Sequence, residues 1–179
     1  AGCGTGQHAL DTAHRFKNGH VTAIDLSLSS LAYAKRKTEE FGVTNIDYLQ
    51  ADILDLKLLD KQFDIIESVG VLHHMADPLA GWQVLTECLK PNGLMKIGLY
   101  SELGRQDIVK AREMIADKNI SPNKEKMLEF RRQIAKLDYP ELDTLSRTND
   151  FYSLSGLRDL IFHVQEHRFT IPQISAALD

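Results

Sequence analysis

The chain opens on Ala1-Gly2-Cys3-Gly4-Thr5-Gly6-Gln7, and about twenty residues later comes Val21-Thr22-Ala23-Ile24-Asp25-Leu26. Glycine at every second position lets the backbone turn tightly and approach a ligand, because no Cβ stands in the way. A helical pattern starts at Gln7, and the start of a helix adds unpaired N–H groups and partial positive charge. The run from Val21 is short, mostly apolar and partly β-branched, so it reads as a buried strand ending at Asp25. A carboxylate at the end of such a strand can accept hydrogen bonds from both hydroxyls of a ribose. Taken singly, the turn and Asp25 are each weak evidence, and Asp25 also reads as a helix-entry residue before Ser27. Together, in the order turn, helix, strand, they point to a bound ligand.

The glycine spacing narrows that ligand. A dinucleotide-binding turn, G-x-G-x-x-G, needs glycine where Gln7 stands. This argues against a pyrophosphate cradle, and so against a nicotinamide-dependent oxidoreductase. It suits a ligand whose carboxylate and adenosine pass close to the loop.

Elements continue to alternate outward from the turn. A helix is expected from Gln7 to about Lys17, with Ser27 as N-cap of the next one. That second helix sets Leu28, Leu31, Ala32 and Phe41 along one face, with Gly42 as its stop. Ile46–Gln50, followed by Ala51-Asp52-Ile53, and Phe63–Val69 read as strands. Asp77-Pro78 is a helix start, a capping carboxylate followed by proline at the first helical position. Leu79, Trp82, Leu85 and Leu89 recur at helical spacing beyond it. Lys90-Pro91-Asn92-Gly93 reads as a turn before a strand from Leu94 to Tyr100. Strands alternating with helices of this length imply an α/β, doubly wound, mostly parallel sheet.

This ordered set resembles the class I S-adenosylmethionine-dependent methyltransferases over about the first hundred residues. Ala1–Gly6 resembles their motif I. Asp25 matches the ribose-binding acidic residue, and Asp52 in Gln50-Ala51-Asp52-Ile53 matches the position that meets the adenine amino group. Phe63-Asp64-Ile65-Ile66-Glu67-Ser68 with Val71-Leu72-His73-His74 and Asp77-Pro78 resembles motif IV and its loop. Leu89-Lys90-Pro91-Asn92-Gly93-Leu94 resembles the turn before the fifth strand. The resemblance implies a Rossmann-like fold that uses S-adenosyl-L-methionine to methylate a small molecule or a protein. It implies cofactor contacts from Gly2, Cys3, Gly4 and Gly6 toward methionine and ribose, and from Asp25 and Leu26 at the ribose. Asp52 and Ile53 would frame the adenine, and Ser68 and Val69 would line the methionine side. In the family a strand precedes the glycine turn and an antiparallel pair follows the fifth strand. Neither is read here, so the expectation is a fragment whose sheet lacks its first strand and distal edge.

The second half differs. Residues 1–103 read as the cofactor-binding core, and 104–179 as a helical addition that acts as a lid or substrate selector. From Gly104 to Leu137 the pattern is helical and charged, with Met127, Phe130, Ile134 and Leu137 in one stripe and Pro140 interrupting. Leu154 to His167 reads as another helix that buries Leu157, Leu160, Ile161 and Val164. His163-Val164-Gln165-Glu166-His167 matches H-x-x-E-H, which on a helix would set both histidines one turn apart. The surrounding sequence favours a polar helix face, and no metal is expected. His73-His74 is expected near the rim of the site, either as substrate contact or base, or as a cap over the cofactor pocket. Trp82 is expected in the core, and Tyr100 in the core or, at the end of its strand, lining a substrate pocket.

Composition bounds the rest. The net charge of the 179 residues is −4 and both signs are interleaved, so no basic footprint marks a nucleic-acid partner. No apolar run reaches the length of a bilayer span. Two cysteines, Cys3 and Cys88, suggest no disulfide framework, so the expected compartment is the cytoplasm. A non-catalytic domain of the same fold that binds a partner is the rival reading.

Overall fold

The computed structural model describes residues 1–136 and 138–178. The chain divides into two compact units, Ala1–Leu99 and Tyr100–Asp179.

The first unit runs α1 (Gln7–Arg15), β1 (Val21–Asp25), α2 (Leu28–Glu40), β2 (Ile46–Gln50), β3 (Phe63–Val69), α3 (Pro78–Glu87) and β4 (Leu89–Gly98). Its strands form two parallel pairs, β1 with β2 and β3 with β4. Among the described residues no strand joins the pairs, so β1 and β3 each keep one edge without a strand partner. The start of the chain lies between those edges. The Ala1 amino group donates to the Glu67 carbonyl at 2.6 Å, and Cys3 N–H donates to the Ile24 carbonyl at 2.8 Å. The parallel pairing of the strands is as expected from the sequence. Ile24, Ile53, Leu56, Ile66, Leu72, Val84, Leu85 and Cys88 form the core beneath it. Full burial of one such aliphatic side chain contributes roughly 1.5–3 kcal/mol.

Several expected patterns are redrawn by packing. Along α2 the buried residues are Leu31, Ala34 and Thr38, whereas Leu28 and Phe41 are 64% and 68% exposed. Leu31 is buried as expected, and the rest of the contact face is made of small residues because α2 lies close against the glycine turn. A Cβ on Gly6 would stand 2.5 Å from the Ala34 Cβ. Thr38 bonds the Tyr48 hydroxyl at 2.8 Å across to β2. In α3, Asp77 caps the helix by accepting from Leu79 and Ala80 N–H at 3.0 Å each. Its buried face is Pro78, Gly81, Val84 and Leu85, with Leu79 half exposed and Leu89 already in β4. The tetrapeptide Lys90-Pro91-Asn92-Gly93 is not a turn before a strand but an irregularity inside β4. Phe63 pairs with Leu89 and Ile65 with Leu94, so three extra residues of β4 bulge out there. Asn92 takes a φ of 64° to allow it.

The second unit contains α4 (Gln106–Asp117), α5 (Lys124–Ala135), α6 (Leu154–Ile161) and α7 (Ile171–Leu178), with short 3₁₀ turns between them. Met127, Phe130 and Ile134 are buried as expected, and Leu137 lies outside the described residues. They pack with Ile108, Leu142, Leu145, Phe151, Leu157, Leu160 and Ile161 in a core of the unit's own. The helical stretch from Gly104 is broken after Asp117. Asn119 has a φ of 49°, and Asn123 restarts the chain as N-cap by accepting from Lys126 N–H at 2.9 Å.

The helix expected to reach His167 ends at Ile161. Arg112 donates to the His163 carbonyl at 2.7 Å, removing the acceptor a further turn would need. Arg105 then draws Glu166 away through two bonds of 3.2 and 2.8 Å. Phe169 bonds the backbone of Tyr100 and Glu102, closing residues 162–169 as a loop. His163 and His167 are therefore not one helical turn apart, and Val164 is 96% exposed rather than buried. Tyr100 is half-buried under the Arg105 guanidinium, which stacks 3.5 Å from its ring centre. Among the described residues, no helix is long and apolar enough to cross a membrane.

Candidate functional site

Three strand ends converge on the glycine turn. The turn itself has left-handed backbone at Gly2 (φ 70°), Gly4 (φ 52°) and Gly6 (φ 84°), which L-residues with a Cβ adopt only at a cost. Two of the three glycines are also fixed by contact. A Cβ on Gly2 would lie 2.2 Å from Val71 Cγ2, just past β3, and one on Gly6 would strike Ala34. Around Gly4 there is open space: nothing lies within 4 Å of a Cβ built there. The turn is thus walled by β3 and α2 on either side and free at its middle, where backbone can meet a ligand.

Asp25, at the carboxyl end of β1, reaches the middle of that turn. Its Oδ2 accepts from Gly4 N–H at 2.7 Å, and its Oδ1 accepts from Ser27 N–H at 2.9 Å. A carboxylate offers about four acceptor directions, so two remain for hydroxyls of a ligand. The end of β2 is joined to the same place. Ala51 N–H donates to the Asp25 carbonyl at 3.3 Å, and Gln50 Nε2 donates to the Leu26 carbonyl at 3.0 Å. Asp52 follows directly. Its Oδ1 caps the 3₁₀ turn Ile53–Leu59 by accepting from Leu54 N–H at 2.9 Å, which leaves its other oxygen for a donor. Leu26 is 66% exposed beside Asp25 and offers an apolar surface.

The structure therefore brings Gly2, Cys3, Gly4, Gly6, Asp25, Leu26 and Asp52 to one end of the parallel strands, where open α/β sheets bind ligands. It places the others differently. Ile53 is a core residue at 6% exposure. Ser68 is fully buried on the face of β3 that carries Ile66, while Val69 points to the opposite, open face and is half exposed. Ser68 and Val69 cannot line one pocket with both side chains, because adjacent residues of a strand face opposite ways. Sequence reading missed Gln50 and Val71. Gln50 lacked any signal beyond its place at a strand end, and Val71 is legible only once Gly2 is known to sit against it.

Two titratable groups of the first unit are shielded from solvent to different degrees. Burial, and then the neighbouring Asp25 charge, push the Cys3 thiol up to about 11, so it stays protonated and unreactive at neutral pH. His73 is buried, and its ring meets that of His74 edge to face at 4.4 Å.

Comparison with known proteins agrees with this geometry. A family model described as a methyltransferase domain matches residues 1–93. An uncharacterized protein of Synechococcus sp. is 40% identical over 117 residues, which cover 65% of this chain and 28% of that protein. The 2-phytyl-1,4-naphtoquinone methyltransferase of Nostoc sp. is 35% identical over 92 residues, covering 50% of this chain and 40% of that enzyme. The ubiquinone biosynthesis O-methyltransferase of Actinobacillus pleuropneumoniae is 35% identical over 99 residues, covering 52% and 41%. The chain thus spans less than half the length of each of these relatives. Among solved structures, PKMT2 of Rickettsia typhi in complex with AdoHcy superposes with a TM-score of 0.81 at 20% identity, over 99% of this chain and 37% of that one. At that identity the likeness shows a shared fold. The family match covers just over half of the residues and contains the glycine turn, Asp25 and Asp52, and the chain belongs to the class I S-adenosylmethionine-dependent methyltransferases.

Proposed function

We propose that the protein transfers the methyl group of S-adenosylmethionine to an oxygen, nitrogen or carbon of a small-molecule or protein acceptor. The observation that carries this reading is the pairing of an open glycine turn with a carboxylate that still has acceptor capacity. A Cβ built on Gly4 would meet nothing within 4 Å, and the Asp25 carboxylate accepts from Gly4 N–H at 2.7 Å. The residues fit the cofactor: Gly2, Gly4 and Gly6 let backbone approach its methionine and ribose parts, and Asp25 receives the ribose hydroxyls. Asp52 accepts from the adenine amino group, with Leu26 alongside. Cys3 and Val69 contribute backbone and apolar surface, Ser68 only its backbone, and Ile53 supports from the core. When bound, the cofactor supplies a sulfonium methyl that is already activated, so the chain's part is to position the acceptor and exclude water.

The helical second unit serves as the acceptor-selecting part in this reading. Its firmly tied 162–169 loop, carrying His163, Gln165 and His167 beside Tyr100, offers polar groups on a fixed frame. A small-molecule or protein acceptor is favoured over a nucleic acid, for which the interleaved charges provide no footprint. Both cysteines are free, which suits a cytoplasmic setting.

The reading is tested with methyl-labelled S-adenosylmethionine offered with fractionated small molecules and proteins. Label is expected in at least one fraction and is expected to vanish with Asp25→Ala. Cofactor retained by the wild-type protein with no label moved to any fraction would favour the non-catalytic, partner-binding domain.

A further inference from the structure

The Asp25 carboxylate holds backbone as well as facing the space for a ligand. Its two oxygens hold two different backbone segments. Oδ1 takes the N–H of Ser27, two residues on, in the manner of an Asx turn, and this fixes the side-chain rotamer. Oδ2, so aimed, takes the N–H of Gly4 at 2.7 Å, a short bond with a charged acceptor. Next to it, Cys3 N–H donates to the Ile24 carbonyl at 2.8 Å, and within the turn Gly6 N–H donates to the Cys3 carbonyl at 2.9 Å. The turn is thus pinned to β1 by two successive amides, one on the strand backbone and one on Asp25. Gly4 has no Cβ, and the space where one would stand is open, so no side-chain packing of its own holds its φ of 52°.

We infer that Asp25 is the positioning residue of the glycine turn: its Oδ2 holds Gly4 N–H in the unliganded protein, and the bond is kept when the ribose occupies the remaining acceptor directions. The inference rests on the cofactor reading above. It changes what Asp25 contributes to affinity, because part of its effect is spent on the shape of the turn and does not depend on ribose hydroxyls. A binding-competent turn that is populated only in part weakens apparent affinity in proportion.

Asp25→Asn is nearly isosteric but can set an amide N–H against Gly4 N–H, two donors face to face. The wild-type protein and this variant are titrated with S-adenosylhomocysteine and with its 2′,3′-dideoxy analogue, which has no ribose hydroxyl to lose. The two-by-two comparison separates the shared term. The variant is expected to bind the dideoxy analogue about tenfold or more weakly than wild type, the order expected for a hydrogen bond to a charged group. Equal binding of the analogue by both proteins, with S-adenosylhomocysteine weakened, would overturn the inference and leave the cofactor reading standing. Absence of S-adenosylhomocysteine binding by the wild type would strike the cofactor reading itself.

Amide hydrogen exchange in the unliganded wild-type protein decides the matter if the variant does not fold or the analogue does not bind. Gly4 is expected to exchange at least tenfold more slowly than the exposed Thr5, and in a folded Asp25→Asn variant that protection is lost at Gly4 while the β1–β2 ladder is unchanged. A Gly4 amide that exchanges as freely as Thr5 contradicts the inference.

Discussion

At the scale of single residues, Gly4 and Gly6 look alike in sequence and differ in their surroundings. Both take positive φ, and a left-handed residue bearing a Cβ costs roughly 1–2 kcal/mol. Gly4→Ala adds only that cost, since open space receives the methyl group. Gly6→Ala adds the clash with Ala34 Cβ at 2.5 Å and with the Tyr48 hydroxyl at 3.1 Å, and overpacking of this kind costs about 1–3 kcal/mol more. In urea unfolding, Gly6→Ala is expected to lose more stability than Gly4→Ala by about that second amount. Equal losses would mean that α2 yields to the turn at little cost. The sequence showed that three glycines were present. It did not show which were held by packing and which by ligand access, because Val71 and Ala34 are distant along the chain.

At the scale of elements, the first three strands were legible almost to the residue, whereas the start of β4 and the faces of the helices were not. Ile46–Gln50 and Phe63–Val69 form as read, because short β-branched runs bounded by turn residues admit few alternatives. The face of α2 was misread because the helix contacts the turn through alanine and threonine, which an apolar-stripe reading ranks below Leu28 and Phe41. The segment 162–167 was misread as helix because nothing local reveals that Arg112 and Arg105, fifty to sixty residues away, take its carbonyl and its carboxylate. The edge of β1 that has no strand partner leads to a prediction at this scale. Val21 N–H donates to Asn45 and the Asp25 carbonyl accepts from Ala51, so the odd-numbered residues face β2, while Ile24 faces the other edge. Amide exchange is expected to alternate along β1, slow at Val21, Ala23 and Asp25 and faster at Thr22 and Ile24. Uniform protection would mean that the second edge of β1 is paired in solution.

At the scale of the whole molecule, each unit has its own hydrophobic core, and the second is tied by charge as well. The Glu166 side chain is 1% exposed and bridges Arg105 and Arg168. Burial alone would push its carboxyl up, but the bonds and charge of Arg105, with Arg112 and Arg168, outweigh that and hold it below its ordinary value. A carboxyl depressed in the folded state stabilises above its unfolded pKa of roughly 4.3, and that contribution is lost as pH falls through the lower folded value. Glu166→Gln leaves Arg105 without its counter-charge and is expected to cost on the order of 3 kcal/mol at pH 7. The deficit should shrink as the pH is taken below 4, where the wild-type carboxyl gains its proton too. A deficit that stays constant from pH 7 to pH 3 in urea unfolding would assign it to shape rather than charge.

The central claim is that the glycine turn and Asp25 bind S-adenosylmethionine, and calorimetric titration with S-adenosylhomocysteine tests it most directly. The account predicts saturable one-to-one binding that Asp25→Ala weakens at least tenfold, with no comparable binding of a nicotinamide dinucleotide. A folded protein that binds no S-adenosylhomocysteine, or an Asp25→Ala variant that binds it as the wild type does, would contradict it.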